Sequence, residues 1–173
     1  MAHEIDMTTG KAAAAFARTP AWHRLGKVLP STMTSMEAIR EAGLDWQVDL
    51  RPMFRPCNQG QMVSMPDKRA VVRADTDRVL GVVGNQFVPC QNADLAGFLD
   101  SVIGLGAKIE SAGSLHGGRK IWFLCALGES YDVVPGDQVH PYALFLNGHD
   151  GNTRLRVVPT TVRVVCQIGR AHV

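Results

Sequence analysis

The sequence predicts an α+β domain, mainly antiparallel sheet in meanders and hairpins, with two or three helices. Three observations carry that expectation. Two windows, 34–43 and 92–104, have helical spacing between flanking caps. The other apolar runs are short, alternating or rich in β-branched residues, and turn-forming residues separate them. The order is helix, strands, helix and then strands that pair with their neighbours, which is the α+β pattern.

Residues 1–20 read as a flexible N-terminal arm with one helical turn through Lys11 to Arg18, and 21–167 as one domain. The knot AWHRLG at 21–26 would plug the core edge with Trp22 and Leu25, leaving His23 a satisfied hydrogen bond. Thr34 and Glu37 form a capping box, Met36, Ile39 and Ala42 share one side, and Gly43 ends the helix. In LDWQVDLRPMF, Leu44, Trp46, Val48 and Leu50 alternate as in a strand. DKRAVVRAD and RVLGVVGNQFVPC, joined by ADTD, read as a hairpin or meander. In the next helix Asn92 is the expected cap, Asp94 suits the positive end of the helix dipole, and Gly104 ends it. Its apolar stripe is Leu95, Phe98, Leu99 and Val102. Two strands around HGG follow, then a loop through DVVPGDQVH, then a hairpin tipped by NGHDGN.

With 173 residues, 46% apolar and 20% charged, the chain is long enough for a real core and is not compositionally disordered. No stretch approaches the roughly 20 apolar residues of a membrane span, and the N-terminus lacks a secretory pattern, so a cytoplasmic protein is expected. Cys57, Cys90, Cys125 and Cys166 are widely spaced and read as reduced, mostly buried thiols. A net charge of +2 gives no global basic field, so any contact with nucleic acid must rest on local patches.

The six histidines lack metal-ligand spacing, and no nucleophile elbow or phosphate loop is present. No metal or other cofactor is therefore expected. Cys166, three residues after Arg163, sits in an alternating run that ordinarily buries a thiol. Phosphate contact is the more promising theme. Arg119 and Lys120 follow a glycine turn beside Trp122 and Phe123, and Arg154 and Arg156 are two residues apart on one strand face. Arg163 joins that face only if Pro159 marks a bulge. Arginines at period two can follow a phosphate backbone while an aromatic such as Trp122 stacks on bases. A solvated strand face with its aromatics in the core accounts for the same residues.

Five motifs, AWHRLG, VVGNQFVPCQN, GGRKIWFLCAL, NGHDGNTRLRV and TTVRVVCQ, occur in an order that resembles the phage/plasmid-like family called domain of unknown function 932. The resemblance spans roughly residues 20 to 167, with motif positions Trp22, His23, Gly26, Gly84, Pro89, Asn92, Gly117, Gly118, Asn147, His149, Asp150, Arg163 and Cys166. Phe87 stands where tyrosine is common and Thr161 where proline is common. The resemblance implies a cytoplasmic bacterial or phage protein carried on mobile DNA, and no particular activity. A strand meander followed by a helix is also similar to the core of single-strand annealing proteins, which bind backbone in a basic groove and form rings. Single-stranded DNA and a second copy of the chain are thus the expected partners. After Cys166 the family continues Gln-Asn-Thr, whereas only Gln167 fits here. IGRAHV is the translation of a common sequencing adapter, ATC GGA AGA GCA CAC GTC. Residues 168–173 are therefore expected to be adapter and not native protein, with the domain truncated before its C-terminus; without Arg170 the net charge becomes +1.

Three function classes follow, in order. The first is a non-catalytic, DNA-linked protein, an annealing or recombination accessory, with Arg119, Lys120, Trp122, Arg154, Arg156 and Arg163 at the nucleic acid. The second is an interaction module of a mobile element, such as an inhibitor of a host system, marked by an exposed apolar patch. The third is an enzyme that gathers His23, His149, Asp150 or Cys166 at one cleft.

Overall fold

The computed structural model describes residues 4–21, 24–104, 107–128, 131–134 and 137–161. Those residues form an α+β fold of eleven strands and two helices: β1 (Ala14–Ala17), β2 (Lys27–Leu29), α1 (Ser35–Glu41), β3 (Val48–Pro56), β4 (Met62–Arg73), β5 (Arg78–Gly84), α2 (Asn92–Ile103), β6 (Lys108–Leu115), β7 (Lys120–Ala126), β8 (Tyr131–Val134), β9 (Asp137–Val139), β10 (Tyr142–Gly148) and β11 (Arg156–Thr160). A six-stranded sheet has the order β11-β10-β7-β6-β1-β2, antiparallel except for the β1–β2 pair. The meander β3-β4-β5 makes a second sheet, and β8-β9 a small hairpin where a loop was expected at DVVPGDQVH.

The alanine run is the largest correction. Ala14, Ala15, Phe16 and Ala17 are not part of a loose arm or a helical turn but a strand inside the large sheet, each at most 2% exposed. Alanine favours helix in isolation, yet β6 offers Ser111, Ala112 and Gly113 as register partners, small side chains that let a two-sided buried strand fit. Upstream, Ile5 bridges Leu115 and is buried.

The two faces of the large sheet have different coverings. Ile109, Ala112, Ile121, Phe123, Cys125, Ala143 and Phe145 pack with α1, α2 and the inner face of the meander in the main core. The opposite face carries Ala14, Phe16, Leu115, Trp122, Leu124, Leu144 and Leu146 against Ile5 and Ala21.

Thr34 and Glu37 form the expected capping box on α1, and Gly43 follows the helix at φ +64°. Ile39 and Ala42 of the expected side are buried, together with Ser35 and Ala38, whereas Met36 at the rim of that side is exposed. In α2 the cap is Gln91, not Asn92. Its backbone N–H donates to Asp94, and its side-chain amide accepts from the Val48 N–H and donates to the Val48 carbonyl, both at 3.0 Å. Leu95 and Leu99 are buried as expected, but Phe98 is half exposed and meets Phe145 edge-on at 6.0 Å.

Beyond the register shift at Pro52/Met53, β3 and β4 run on as a two-stranded ribbon that β5 does not reach, since β5 pairs only with Lys68–Arg73. Phe54, Pro56 and Met62 share one face of this ribbon, with Phe54 51% and Met62 64% exposed.

Candidate functional site

Motif positions distant in the chain meet in one buried polar cluster. Asn92, in the first turn of α2, donates its Nδ2–H to the carbonyls of Leu44 (2.9 Å) and Trp46 (3.4 Å). Its Oδ1 therefore faces His149 Nε2 at 2.9 Å, which makes His149 the Nε2–H donor and leaves Nδ1 as a lone pair. His149 is 1% exposed, and burial lowers its pKa to about 4 despite the opposing charge of Asp150, so it is neutral at pH 7. Trp46 lies edge-on to the His149 ring at 5.4 Å, and the Arg73 guanidinium sits 4.3 Å from the Trp46 ring centroid.

Arg73 is itself 1% exposed. Its Nη1 reaches Asp6 Oδ2 at 2.6 Å, and Nε and Nη2 hold both oxygens of Asp75 at 2.7 and 3.0 Å. Burial opposes the Arg73 charge, but the two carboxylates hold its pKa above the ordinary value. Burial likewise works against ionised Asp6, while bonds from Thr8 and Arg73 outweigh it and keep that carboxyl low.

The HGG turn closes over this cluster. Gly118, at φ +103°, lies so near Trp46 and Arg73 that a Cβ would meet them at 3.2 and 3.4 Å, which is why a side chain has no place there. The second glycine-rich turn is tied equally tightly. Asp150 Oδ1 accepts from the Asn152 and Thr153 amides at 2.9 and 2.7 Å, and Oδ2 from the Thr153 hydroxyl at 3.0 Å. Burial opposes the Asp150 charge, and those amides lower its pKa regardless. Asn147 donates to the Cys90 carbonyl at 2.9 Å, and the His149 amide to the Arg119 carbonyl at 2.9 Å.

Asn92, Gly118, Asn147, His149 and Asp150 thus build and lock the fold. His149 is closed off from solvent, the partly exposed Asp150 carboxylate is engaged by the donors of its own turn, and His23 and Cys166 lie outside the described residues. Cys125 is buried and its thiol pushed up to about 12 by burial. Arg73 and Asp6 were missed by sequence reasoning. The available signal was parity: Arg73 pairs with Val48 and stands two residues from Val71, on the buried face of β4.

The phosphate-contact residues fare unevenly. Lys120 opens β7 opposite Gly148, and Arg156 opens β11 opposite Leu146, which also pairs with Trp122. Register therefore puts Lys120 and Arg156 on one face at one end of β7-β10-β11, with exposed Arg119 one residue before Lys120 and exposed Arg154 two residues before Arg156. Among the described residues none of these four is in an ion pair. Arg154 precedes β11 and is not a strand residue. Trp122 is corrected as a base-stacking residue: it is 4% exposed, and its ring lies where a Cβ on Gly113 would stand. Stacking needs an open ring face, and the sheet fills it. Arg163, like Trp22, lies outside the described residues. No helix among the described residues is long and apolar enough to cross a membrane, and no group of three His, Cys, Asp or Glu side chains gathers there.

In comparisons with curated proteins and with solved structures, nothing matches. The family model described as domain of unknown function (DUF932) matches residues 79–171, more than half of the chain and the stretch that supplies α2, the HGG turn and the His149 turn. This chain belongs to the DUF932 family.

Proposed function

We propose that this chain is a non-catalytic, single-stranded DNA-binding protein of a phage or plasmid, an annealing or recombination accessory acting in the bacterial cytoplasm. One observation carries the reading: Arg119, Lys120, Arg154 and Arg156 surround one end of the β7-β10-β11 edge without an ion-pairing carboxylate among the described residues. Asp150 answers part of the Lys120 charge, but Arg119, Arg154 and Arg156 remain in surplus; like charges so gathered repel one another, and a phosphate backbone relieves that repulsion. The meander β3-β4-β5 followed by α2 adds an analogy with annealing proteins.

The test is retardation of a labelled oligonucleotide over a salt series. Four phosphate contacts give a slope of about −3 in log affinity against log salt, at about 0.7 per contact on a single strand. Arg154→Ala with Arg156→Ala should flatten the slope by about 1.4. Absence of binding at low salt, or a slope indifferent to these substitutions, would reject the proposal.

A second reading, association with a second copy, is favoured by the ribbon. Among the described residues its outer edges are unpaired, Phe54 and Met62 are exposed on one face, and Arg55 is the sole charge between Met53 and Met65. A two-stranded ribbon is marginal alone, and a free edge with a single charge to guard it pairs readily with another. Sedimentation should show an oligomer that Phe54→Ser with Met62→Ser converts to monomer; a monomeric parent protein at tens of micromolar would end this reading.

A further inference from the structure

A cleft of about 620 Å³ opens at the β2 edge of the large sheet, at the far end from β11. Its walls come from three separate segments: Lys11 before β1, Arg24 and Lys27 at the entry to β2, and Arg40 with Glu41 in the last turn of α1. Four cations and one carboxylate therefore line it, a surplus of three positive charges, in a chain whose entire net charge is +2. Lys27 is paired with Glu41, whereas Lys11, Arg24 and Arg40 form no ion pair among the described residues. Arg24 also holds a left-handed backbone, φ +56°, a conformation that is strained for a non-glycine residue. Like charges drawn from three segments into one concavity destabilise the empty fold, and the cleft focuses their field on whatever enters.

We propose that this cleft binds a phosphate-bearing small molecule with two or more negative charges, such as a nucleoside polyphosphate or an inorganic polyphosphate. The volume falls in the range of small-molecule sites, about 300–1,000 Å³, and Leu25, Ala12 and Ala13 give it an apolar floor beside the cations. Arg24 and Arg40 supply forked donors suited to phosphate oxygens, and Lys11 a mobile point charge. The site is separate from the β11 side of the proposed DNA edge. Five strand spacings of about 4.8 Å, roughly 24 Å, separate β2 from β11 with Arg154 and Arg156, farther than one small ligand spans, and three, roughly 14 Å, separate it from β7 with Arg119 and Lys120.

Calorimetric titration of the whole chain at low salt with ATP, inorganic tripolyphosphate and sulfate tests this. ATP or tripolyphosphate should bind with a Kd below about 1 mM, and Lys11→Ala with Arg40→Ala should weaken it tenfold or more. Arg154→Ala with Arg156→Ala should leave it unchanged. Tighter binding of ATP than of tripolyphosphate assigns a nucleotide, and equal binding assigns the phosphates alone; either supports the site. Thermal melts of both double variants, matching the parent, separate lost binding from lost folding, and Arg24→Gln supplies a second cleft variant should the first unfold. Failure of both phosphates to bind, sulfate binding as tightly as tripolyphosphate, or affinity untouched by the cleft substitutions would overturn the proposal. So would oligonucleotide affinity that depends on Lys11 and Arg40 but not on Arg154 and Arg156, since the cleft would then serve the strand.

Discussion

Replacing Arg73 with methionine should destabilise the protein by about 3–5 kcal/mol, lowering Tm by roughly 10 °C or more. The loss does not come from the arginine's own attraction, which its desolvation largely offsets. It comes from what stays behind: Asp6, 2% exposed, keeps a carboxylate whose charged partner at 2.6 Å has gone. Asp75 is 39% exposed on its side chain and can turn to water, so it adds less. Trp46 also loses the guanidinium above its ring. Pairing Arg73→Met with Asp6→Asn should recover part of the loss, because no buried charge then lacks a partner. Urea denaturation of the single and double variants measures both effects. A single variant within about 1 kcal/mol of the parent would show that the cluster does not hold the N-terminal segment to the meander.

Acid should destabilise the protein well before its carboxylates titrate, and His149 should be the cause. The imidazole is neutral in the fold with a pKa of about 4, against 6.5 for an ordinary histidine, because burial penalises its charged form. Above pH 6.5 neither state holds the proton, so stability is full. Below 6.5 the unfolded chain binds a proton that the folded chain refuses, and stability falls until pH reaches about 4. The slope approaches 1.4 kcal/mol per pH unit, and the whole effect is about 3 kcal/mol. Asp6 and Asp150 act in a different window. Their folded pKa values lie below 3.8, so the stability they give is present above that pH and is lost only in stronger acid. His149→Gln should be less stable than the parent at pH 7, yet the gap should narrow steadily between pH 6.5 and 4.5. A constant gap would mean that His149 is not the titrating group.

The elements legible in the sequence were those specified locally. The capping box of Thr34 and Glu37, the alternating burial of Leu44, Trp46 and Val48, and the turns at HGG and NGHDGN each depend on residues within a few positions and stand where they were expected, although the strand expected from Leu44 begins only at Val48. The errors share one cause, which is an unseen neighbour. Ala14–Ala17 became a strand because β6 has small residues to receive it, and Trp122 was taken from bases by the sheet face it fills. Asn92, a good cap by composition, was drawn inward because His149, 57 residues away, needed an acceptor.

By itself the sequence determined the α+β class, the family and the four cations later found at one end of β7-β10-β11, since composition, motif order and turn chemistry are written in short windows. Only the tertiary structure decided that the His149 turn is a neutral, locked element and that Arg73 is a buried charge shared by Asp6 and Asp75. It also decided that Lys11, Arg24 and Arg40 face one cleft. Those facts are long-range: desolvation and charge pairing depend on which segments close over a side chain, and no local pattern records that.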